Sequence, residues 1–142
     1  MADFDLSRFV DAQAPVYAHA LAELRRGRKE SHWMWFVFPQ LAGLGRSPTA
    51  LFYAIGSLAE ARAYLDHPIL GPRIIECCET LLALEGRSAA EIFGYPDDLK
   101  LRSSMTLFSI ADPALAVFHS VLDKYFIGMP DERTIQIVSR LE

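Results

Sequence analysis

Two short segments of this sequence concentrate charged, hydroxyl and aromatic side chains. In the first, cations are followed by aromatic and polar residues: Arg25, Arg26, Arg28, Lys29, His32, Trp33, Trp35, Phe36, Phe38 and Gln40. In the second, acids, cations and hydroxyls alternate: Asp97, Asp98, Lys100, Arg102, Ser103, Ser104 and Thr106. Cations and hydroxyls can bind phosphate or ribose, and a tryptophan can stack on a base. The segments together predict a site for a nucleotide-like or ribosyl phosphate ligand.

We predict that the two segments meet in one pocket, because neither holds a complete binding set by itself. The candidate ligand-binding residues are Arg28, Lys29, His32, Trp33, Trp35, Gln40, Lys100, Arg102, Ser103 and Ser104. If the protein cleaves an N-glycosidic bond, Asp98 is the candidate catalytic residue, since a carboxylate could stabilise the developing oxocarbenium charge. Lys100 and Arg102 would then hold the phosphate.

Each segment also has a purely structural interpretation. Aromatic side chains usually pack in the core, so the first segment could be a solvated helix end that leads into a core-anchoring stretch. In the second, the hydroxyls could bond back to the preceding helical turn while Asp97 and Asp98 cap the helix. The alternative function is a non-enzymatic protein-interaction module or a homodimer, in which Trp33, Trp35 and Phe38 anchor the partner surface.

Other catalytic and metal-binding patterns are missing from the sequence. The histidines have no metal-ligand spacing with one another or with the cysteines, and there is no glycine-rich phosphate loop of the usual form. Cys77 and Cys78 are adjacent in an apolar stretch, where helical neighbours cannot be bridged without strain. They are expected to be buried free thiols that are dispensable for function. We predict no metal and no cofactor.

Composition limits the classes of partner. The chain has 142 residues, 51% hydrophobic and 23% charged, which is typical of one globular domain over residues 1–142. Its formal charge of -4 disfavours nucleic acid, because sequence-independent binding needs basic surface. The N-terminal sequence is unlike a secretory signal, and no apolar run approaches the roughly 18 residues of a membrane span. We expect a cytoplasmic protein without nucleic acid or membrane partners, which could bind a small anion or form a homodimer.

The elements that must position these residues are mostly helical. Apolar spacing, prolines and caps predict helices over residues 6–13, 15–27, 57–66, 70–86, 88–94, 97–110, 112–128 and 130–141. Two of them begin with the spacing of a capping box, Ser57 with Glu60 and Ser88 with Glu91. Residues 34–38 and 50–55 are interpreted as helical or irregular. The fold class is mostly α, a single compact multihelical domain of about seven to nine helices with at most a minor short β element.

Several motifs resemble a known family. The stretches RFVDAQ, SHWMWFVFPQLAGLGRS, LGPR and DDLKLRSSMTLF, with the trailing F-x-x-V-L-D-K-Y-F-x-G, are similar to the bacterial family called domain of unknown function 1810. The resemblance covers essentially the entire chain and implies no particular activity. Some members carry the label calpastatin. That label describes long disordered inhibitors, whereas this composition predicts a compact domain.

A weaker resemblance links the chain to the NADAR group of N-glycosidases. In that group a polar helix with a methionine precedes a lysine-phenylalanine pair, as Met105 precedes Lys124, Tyr125 and Phe126 here. The resemblance implies a role in NAD or ADP-ribose metabolism. The group's glutamate-histidine pair, and its late aspartate followed by tryptophan-glycine, are not found here, so the resemblance assigns no catalytic acid.

Overall fold

Ten α-helices make up the computed structural model, which describes residues 4–141. The helices are α1 (Ser7–Gln13), α2 (Tyr17–Arg25), α3 (Met34–Val37), α4 (Pro48–Phe52), α5 (Leu58–Asp66), α6 (Leu70–Ala83), α7 (Ala89–Phe93), α8 (Asp97–Ala111), α9 (Val117–Phe126) and α10 (Glu132–Leu141). Within the described residues, β structure is limited to one parallel bridge between Leu41 and Ile55. The all-helical fold class is therefore confirmed. Residues 1–3 and 142, which the sequence analysis placed in the same domain, lie outside the described residues.

The count of ten helices exceeds the predicted seven to nine. The two additional helices are short: α3 lies in the segment 34–38, and α4 overlaps the start of the segment 50–55, both of which the sequence left as helical or irregular. The Ser47 hydroxyl accepts a hydrogen bond from the Ala50 backbone N–H at 3.1 Å, and Pro48 occupies the first turn. A cap and a proline are sufficient to start a turn that has little apolar periodicity.

One of the two predicted capping boxes forms and the other does not. Ser88 and Glu91 satisfy each other's backbone donors, as the spacing predicted. At α5 the Ser57 hydroxyl accepts from the Glu60 backbone, but the Glu60 carboxylate accepts from the Gly56 N–H at 2.7 Å instead. The other carboxylate oxygen pairs with Arg8 at 3.0 Å. The prediction of a reciprocal box there was wrong, because a cation distant in sequence draws the glutamate away.

The start of α9 was also predicted too early. The Asp112 side chain accepts from the Ala114 backbone, and its carbonyl accepts from Leu115, so these residues form a turn. The helix begins only at Val117. At α10 the proline-aspartate signal holds, because the Asp131 carboxylate accepts from the Thr134 backbone at 3.0 Å.

The core is built around α6 and α8. Helix α6 packs against α2, α5 and α9, and α8 packs against α5, α7, α9 and α10. The buried stripe of α6 consists of Leu70, Ile74, Cys77, Cys78 and Leu81. Ile75 and Leu82 lie at the edge of this stripe and are half-buried. Its contacts with three other helices place α6 at the centre of the fold.

A buried polar contact fixes the short aromatic helix α3 to the rest of the fold. The Gln13 side-chain amide donates to the Phe36 carbonyl at 2.6 Å and to the Tyr64 hydroxyl at 3.0 Å. Gln13 and Tyr64 are both buried. Because unpaired polar groups are costly in the core, this network holds α3 in one position. No helix in the described residues is long and apolar enough to cross a membrane.

Candidate functional site

A buried glutamate shapes the first of the two polar segments. Glu23, on α2, is 6% exposed and accepts four hydrogen bonds from the chain that follows the helix. Its donors are the Glu30 and Ser31 backbone N–H groups at 2.8 and 3.0 Å, the Ser31 hydroxyl at 2.5 Å and the Trp33 indole N–H at 2.9 Å. These bonds turn the chain at residues 30–33 and fix where α3 begins.

The hydrogen bonds also control the charge state of Glu23. Burial raises the pKa of this carboxyl, but the bonds from Ser31, Glu30 and Trp33 outweigh burial and lower the pKa to about 2. All of these donors stabilise the charged form, which is how hydrogen bonding shifts a carboxyl pKa downward. Glu23 is therefore a charged structural residue at neutral pH.

Trp33 and Trp35 have different environments although one residue separates them. Trp33 is 1% exposed and packs against the rings of Phe38 and Phe93, with ring centres 6.2 and 6.4 Å away. Trp35, on α3, is half-buried and lines surface cavities. The core-anchoring interpretation therefore describes Trp33, whereas Trp35 is half-buried and lines two of the surface cavities.

An aspartate joins the two polar segments. The Asp97 carboxylate, in the first turn of α8, pairs with the Lys29 ammonium at 2.8 Å and the Lys100 ammonium at 3.2 Å. The Lys29 nitrogen lies 5.1 Å from the Trp33 ring centre, and the Lys100 nitrogen lies 4.8 Å from the Trp35 ring centre. Both distances are within the range of a cation–π contact. The segments thus meet, each lysine lying over one tryptophan.

Beside Lys100 lies a surface cavity of about 350 Å³, which we call the cationic cleft. It is lined by Trp35, Gln40, Leu44, Gly45, Arg46, Ser47, Ala50, Pro96, Leu99, Lys100, Ser103, Asp131 and Arg133. Three lining residues are cations and one is a carboxylate. Four of the sequence-predicted residues share this cleft: Trp35, Gln40, Lys100 and Ser103.

The other predicted residues lie elsewhere. The Lys29 side chain is 7% exposed and held by Asp97, while Arg28 is exposed without lining the cleft. The Asp98 carboxylate accepts a hydrogen bond from the Leu99 backbone at 2.9 Å and also does not line the cleft. Arg102 donates to the Met129 carbonyl at 2.8 Å.

Two hydroxyls of α8, those of Ser103 and Thr106, follow the structural interpretation. Ser103 donates to the Leu99 carbonyl at 3.1 Å, so its oxygen is left only as an acceptor toward the cleft. Thr106 donates to the Arg102 carbonyl at 2.8 Å and accepts from the Asp131 backbone at 2.8 Å. Ser104 is fully buried, and its hydroxyl has no hydrogen-bond partner among residues 4–141.

Sequence reasoning missed Arg46, Asp131 and Arg133. Arg46 follows Gly43 and Gly45 and precedes Ser47, the cap of α4. Asp131 and Arg133 flank Glu132, the first residue of α10. Neither arginine forms an ion pair with a carboxylate of residues 4–141. The sequence does show the glycine-rich loop and the proline-aspartate start of α10. That both lie beside α8 depends on tertiary packing.

A second cavity, of about 460 Å³, lies on the other side of α4, and we call it the aromatic groove. It is lined by His32, Trp35, Phe36, Pro48, Thr49, Phe52 and Tyr53. The predicted residue His32 lies here rather than in the cationic cleft. Trp35 is common to both cavities.

The Lys124, Tyr125 and Phe126 sequence, which carries the weaker resemblance, does not line the cationic cleft. Lys124 donates to the Leu82 carbonyl at 2.7 Å and to the Leu84 carbonyl, and the Tyr125 hydroxyl donates to Leu81 at 2.5 Å. These bonds tie α9 to the end of α6. A cation at the carbonyl end of a helix is favourable.

Comparison with known proteins gives a family and a fold but no activity. A solved structure described as the conserved hypothetical protein Rv1873 from Mycobacterium tuberculosis is 58% identical, with a TM-score of 0.94. The match covers 96% of this chain and 97% of that chain. No curated protein matches. The family model described as Protein of unknown function (DUF1810) matches residues 3–138. That match spans nearly the entire length and confirms the resemblance of the sequence motifs, so the chain belongs to this family.

Proposed function

We propose that the cationic cleft binds a small phosphorylated ligand, of the class of nucleotides and ribosyl phosphates. One observation carries the proposal: the Lys100 ammonium lies 4.8 Å from the Trp35 ring centre inside a cavity that Arg46 and Arg133 also line. The volume of about 350 Å³ falls within the range of small-molecule sites. Cations beside a half-buried aromatic ring suit a ligand that has both an anionic group and a flat or ring-shaped part.

The charge arrangement supports an anion. Lys100 already forms an ion pair with Asp97, but Arg46 and Arg133 have no carboxylate partner within residues 4–141. The single lining carboxylate, Asp131, is engaged by Thr134, whose backbone N–H and hydroxyl donate to it at 3.0 and 2.6 Å. A phosphate could therefore bind the two guanidinium groups with bidentate geometry.

The Gln40 side chain gives the cleft a neutral recognition group. An amide offers two donors and one acceptor. Ser103, whose proton is committed to Leu99, adds an acceptor. This set suits the hydroxyls of a sugar, since each hydroxyl both donates and accepts.

Substitution of the cleft lysine tests the proposal. Lys100→Ala should weaken the binding of ribose 5-phosphate or AMP by about 1 to 3 kcal/mol, the range for a charged hydrogen bond. Isothermal calorimetry measures the affinity, and a thermal shift gives a second readout, since a ligand at 100 times its Kd stabilises by about 2.7 kcal/mol. The matched control is Arg140→Ala, which removes an exposed cation that does not line the cleft. Equal affinity in wild type and Lys100→Ala would overturn the proposal.

N-glycosidic cleavage of NAD or ADP-ribose is the enzymatic form of this function. Its chemistry needs a carboxylate beside the sugar. Asp131 is the carboxylate that lines the cleft, whereas Asp98 lies outside it. Chromatographic measurement of base release, with Asp131→Asn and Asp98→Asn compared side by side, separates cleavage from binding. Release that depends on Asp131 would make the protein an enzyme, and no release would leave it a binding protein.

A second candidate function is protein interaction, through α4 rather than through the Trp-rich segment, because Trp33 and Phe38 are buried. Leu51 and Phe52 are 61% and 59% exposed, beside the aromatic groove. Exposed adjacent apolar side chains mark contact surfaces more often than isolated ones do. Sedimentation at increasing protein concentration tests for a homodimer. A dimer that is lost in Leu51→Ser would favour this function.

A further inference from the structure

The cationic cleft and the aromatic groove lie on either side of α4 and share Trp35. Ser47 and Ala50 line the cleft, while Pro48, Thr49 and Phe52 line the groove. The helix therefore forms a wall between two cavities of different character. One ligand can occupy both only if an anionic part and an apolar part are joined by a linker that passes Trp35.

The groove has the composition of a stacking site. The Tyr53 ring centre is 4.8 Å from that of Phe52 and 5.3 Å from that of Phe36. Phe52 is 59% exposed, so its ring contributes little to the core of the free protein. Base–aromatic stacking is favourable and tolerates any base, because every base presents a π face.

The charges near the aromatic groove favour a neutral aromatic ring over a cation as the group that binds there. Four aromatic rings could in principle surround an ammonium group. However, the Lys100 ammonium already lies over Trp35, and Arg46 lines the adjoining cleft. A ligand cation in the groove would be repelled by these charges, whereas a phosphate in the cleft would be attracted to them.

We propose that the aromatic groove holds the base of the same ligand whose phosphate the cationic cleft binds. The ligand class is then a nucleoside monophosphate or diphosphate, with the sugar as the linker past Trp35. Phe52 and His32 then become residues that bind the base. This inference rests on the proposed function of the cleft, and it adds a second subsite and narrows the ligand class.

The experiment compares three probes on the full chain by isothermal calorimetry: pyrophosphate, ribose 5-phosphate and ADP. Phe52→Ala should weaken ADP binding roughly 5- to 100-fold and leave pyrophosphate and ribose 5-phosphate unchanged. Leu51→Ala is the matched control, since Leu51 is equally exposed on the same helix but does not line the groove. It should change none of the three affinities. His32→Ala, in another exposed lining residue, should repeat the selective loss in a weaker form.

The outcomes separate this inference from the function on which it rests. Arg133→Ala should weaken pyrophosphate and ADP alike, because both carry the anionic group. If Arg133→Ala weakens ADP but Phe52→Ala and His32→Ala do not, the cleft binds phosphate and the groove proposal is overturned. If the wild-type protein binds none of the probes at millimolar concentration, the proposed function fails, and this inference fails with it.

Discussion

A single buried carboxylate, Glu23, organises the start of the aromatic segment. It accepts hydrogen bonds from two backbone N–H groups, from Ser31 and from Trp33. Removing this charged acceptor leaves the buried Trp33 indole N–H and three partly buried donors without a partner, which costs more than the net contribution of one hydrogen bond. The orientation of Trp33 therefore depends on a residue of the preceding helix.

Glu23→Gln should destabilise the protein in a pH-dependent way. The folded pKa of Glu23 is about 2, below the ordinary value of 4.5. A lowered pKa gives stability that is fully present above the unfolded value and is lost as the pH falls toward the folded value. The variant should be less stable than wild type by about 2 to 3 kcal/mol at pH 7, and the difference should shrink between pH 4.5 and pH 2.

Urea unfolding at pH 7, 4 and 3 measures this difference. Glu30→Gln is the matched control, because it removes an exposed carboxylate from the same stretch of chain and should have little effect on stability. A wild-type minus Glu23→Gln difference that stays constant from pH 7 to pH 3 would contradict the prediction.

The two cysteines should be unreactive in the folded protein. Burial raises the pKa of Cys77 to about 12, and the pKa of Cys78 well above its usual range. Since the thiolate is the reactive form, little of it exists at pH 8. The native protein should react with a thiol reagent such as DTNB only at the rate of unfolding. In the urea-denatured chain both thiols should react at once and release two equivalents of the coloured product per chain. Rapid reaction of either thiol in native conditions would be inconsistent with inert packing.

At the scale of elements, the backbones of α5 and α6 approach each other closely at Gly71. An added Cβ at Gly71 would lie 2.0 Å from the Leu65 carbonyl oxygen. No side-chain adjustment relieves a contact with backbone, so the two helices must separate if this glycine is replaced. Glycine is needed here for space rather than for its backbone conformation.

Gly71→Ala should therefore destabilise the protein by about 1 to 3 kcal/mol or more, the range for overpacking in a core. Differential scanning calorimetry measures the change in Tm. The matched control is Gly56→Ala, where the nearest atom to an added Cβ is the Glu60 carboxylate at 3.6 Å, an ordinary contact. If both variants unfold at the same temperature, α5 and α6 are not as close as described.

Most elements could be predicted from local signals. The spacing of apolar residues gave α6, and the pairing of Ser88 with Glu91 gave the start of α7. The failures have different causes. At the start of α9 Asp112 stabilises a local turn, whereas at α5 a group distant in sequence competes for the glutamate. Glu60 pairs with Arg8 instead of completing the predicted capping box, and nothing in the sequence near residue 60 indicates this partner.

The candidate site was less predictable than the fold. That the two polar segments meet was predicted from their surplus of polar groups, and Asp97 is the contact that joins them. The separation of Trp33 from Trp35 could not be predicted, because it depends on the bond to Glu23 ten residues earlier. Arg46 and Arg133 were missed because each looks solvent-exposed in its local sequence.

At the scale of the whole molecule, a positively charged cleft lies on an acidic protein. The formal net charge is -4, while the cleft is lined by three cations and one carboxylate. A concentrated local field attracts a small anion within about 8 Å at physiological salt, whereas a long polyanion would also meet the acidic surface. The charge distribution thus favours a small ligand over nucleic acid.

The last helix reaches the cleft only through its beginning. Asp131 and Arg133 line the cleft, and the Asp131 backbone N–H is anchored to Thr106 of α8. Among the helices, α10 packs chiefly on α8. A ligand held by both Lys100 and Arg133 would connect these two helices, so occupancy of the cleft should reduce local opening of the C-terminal segment.

Amide hydrogen exchange followed by mass spectrometry tests this consequence. Saturating ADP should slow exchange in residues 132–141 far more than in α6. Unchanged exchange in residues 132–141 would mean that α10 does not hold the ligand. If exchange does slow, the rate of amide hydrogen exchange in α10 reports whether the cleft is occupied.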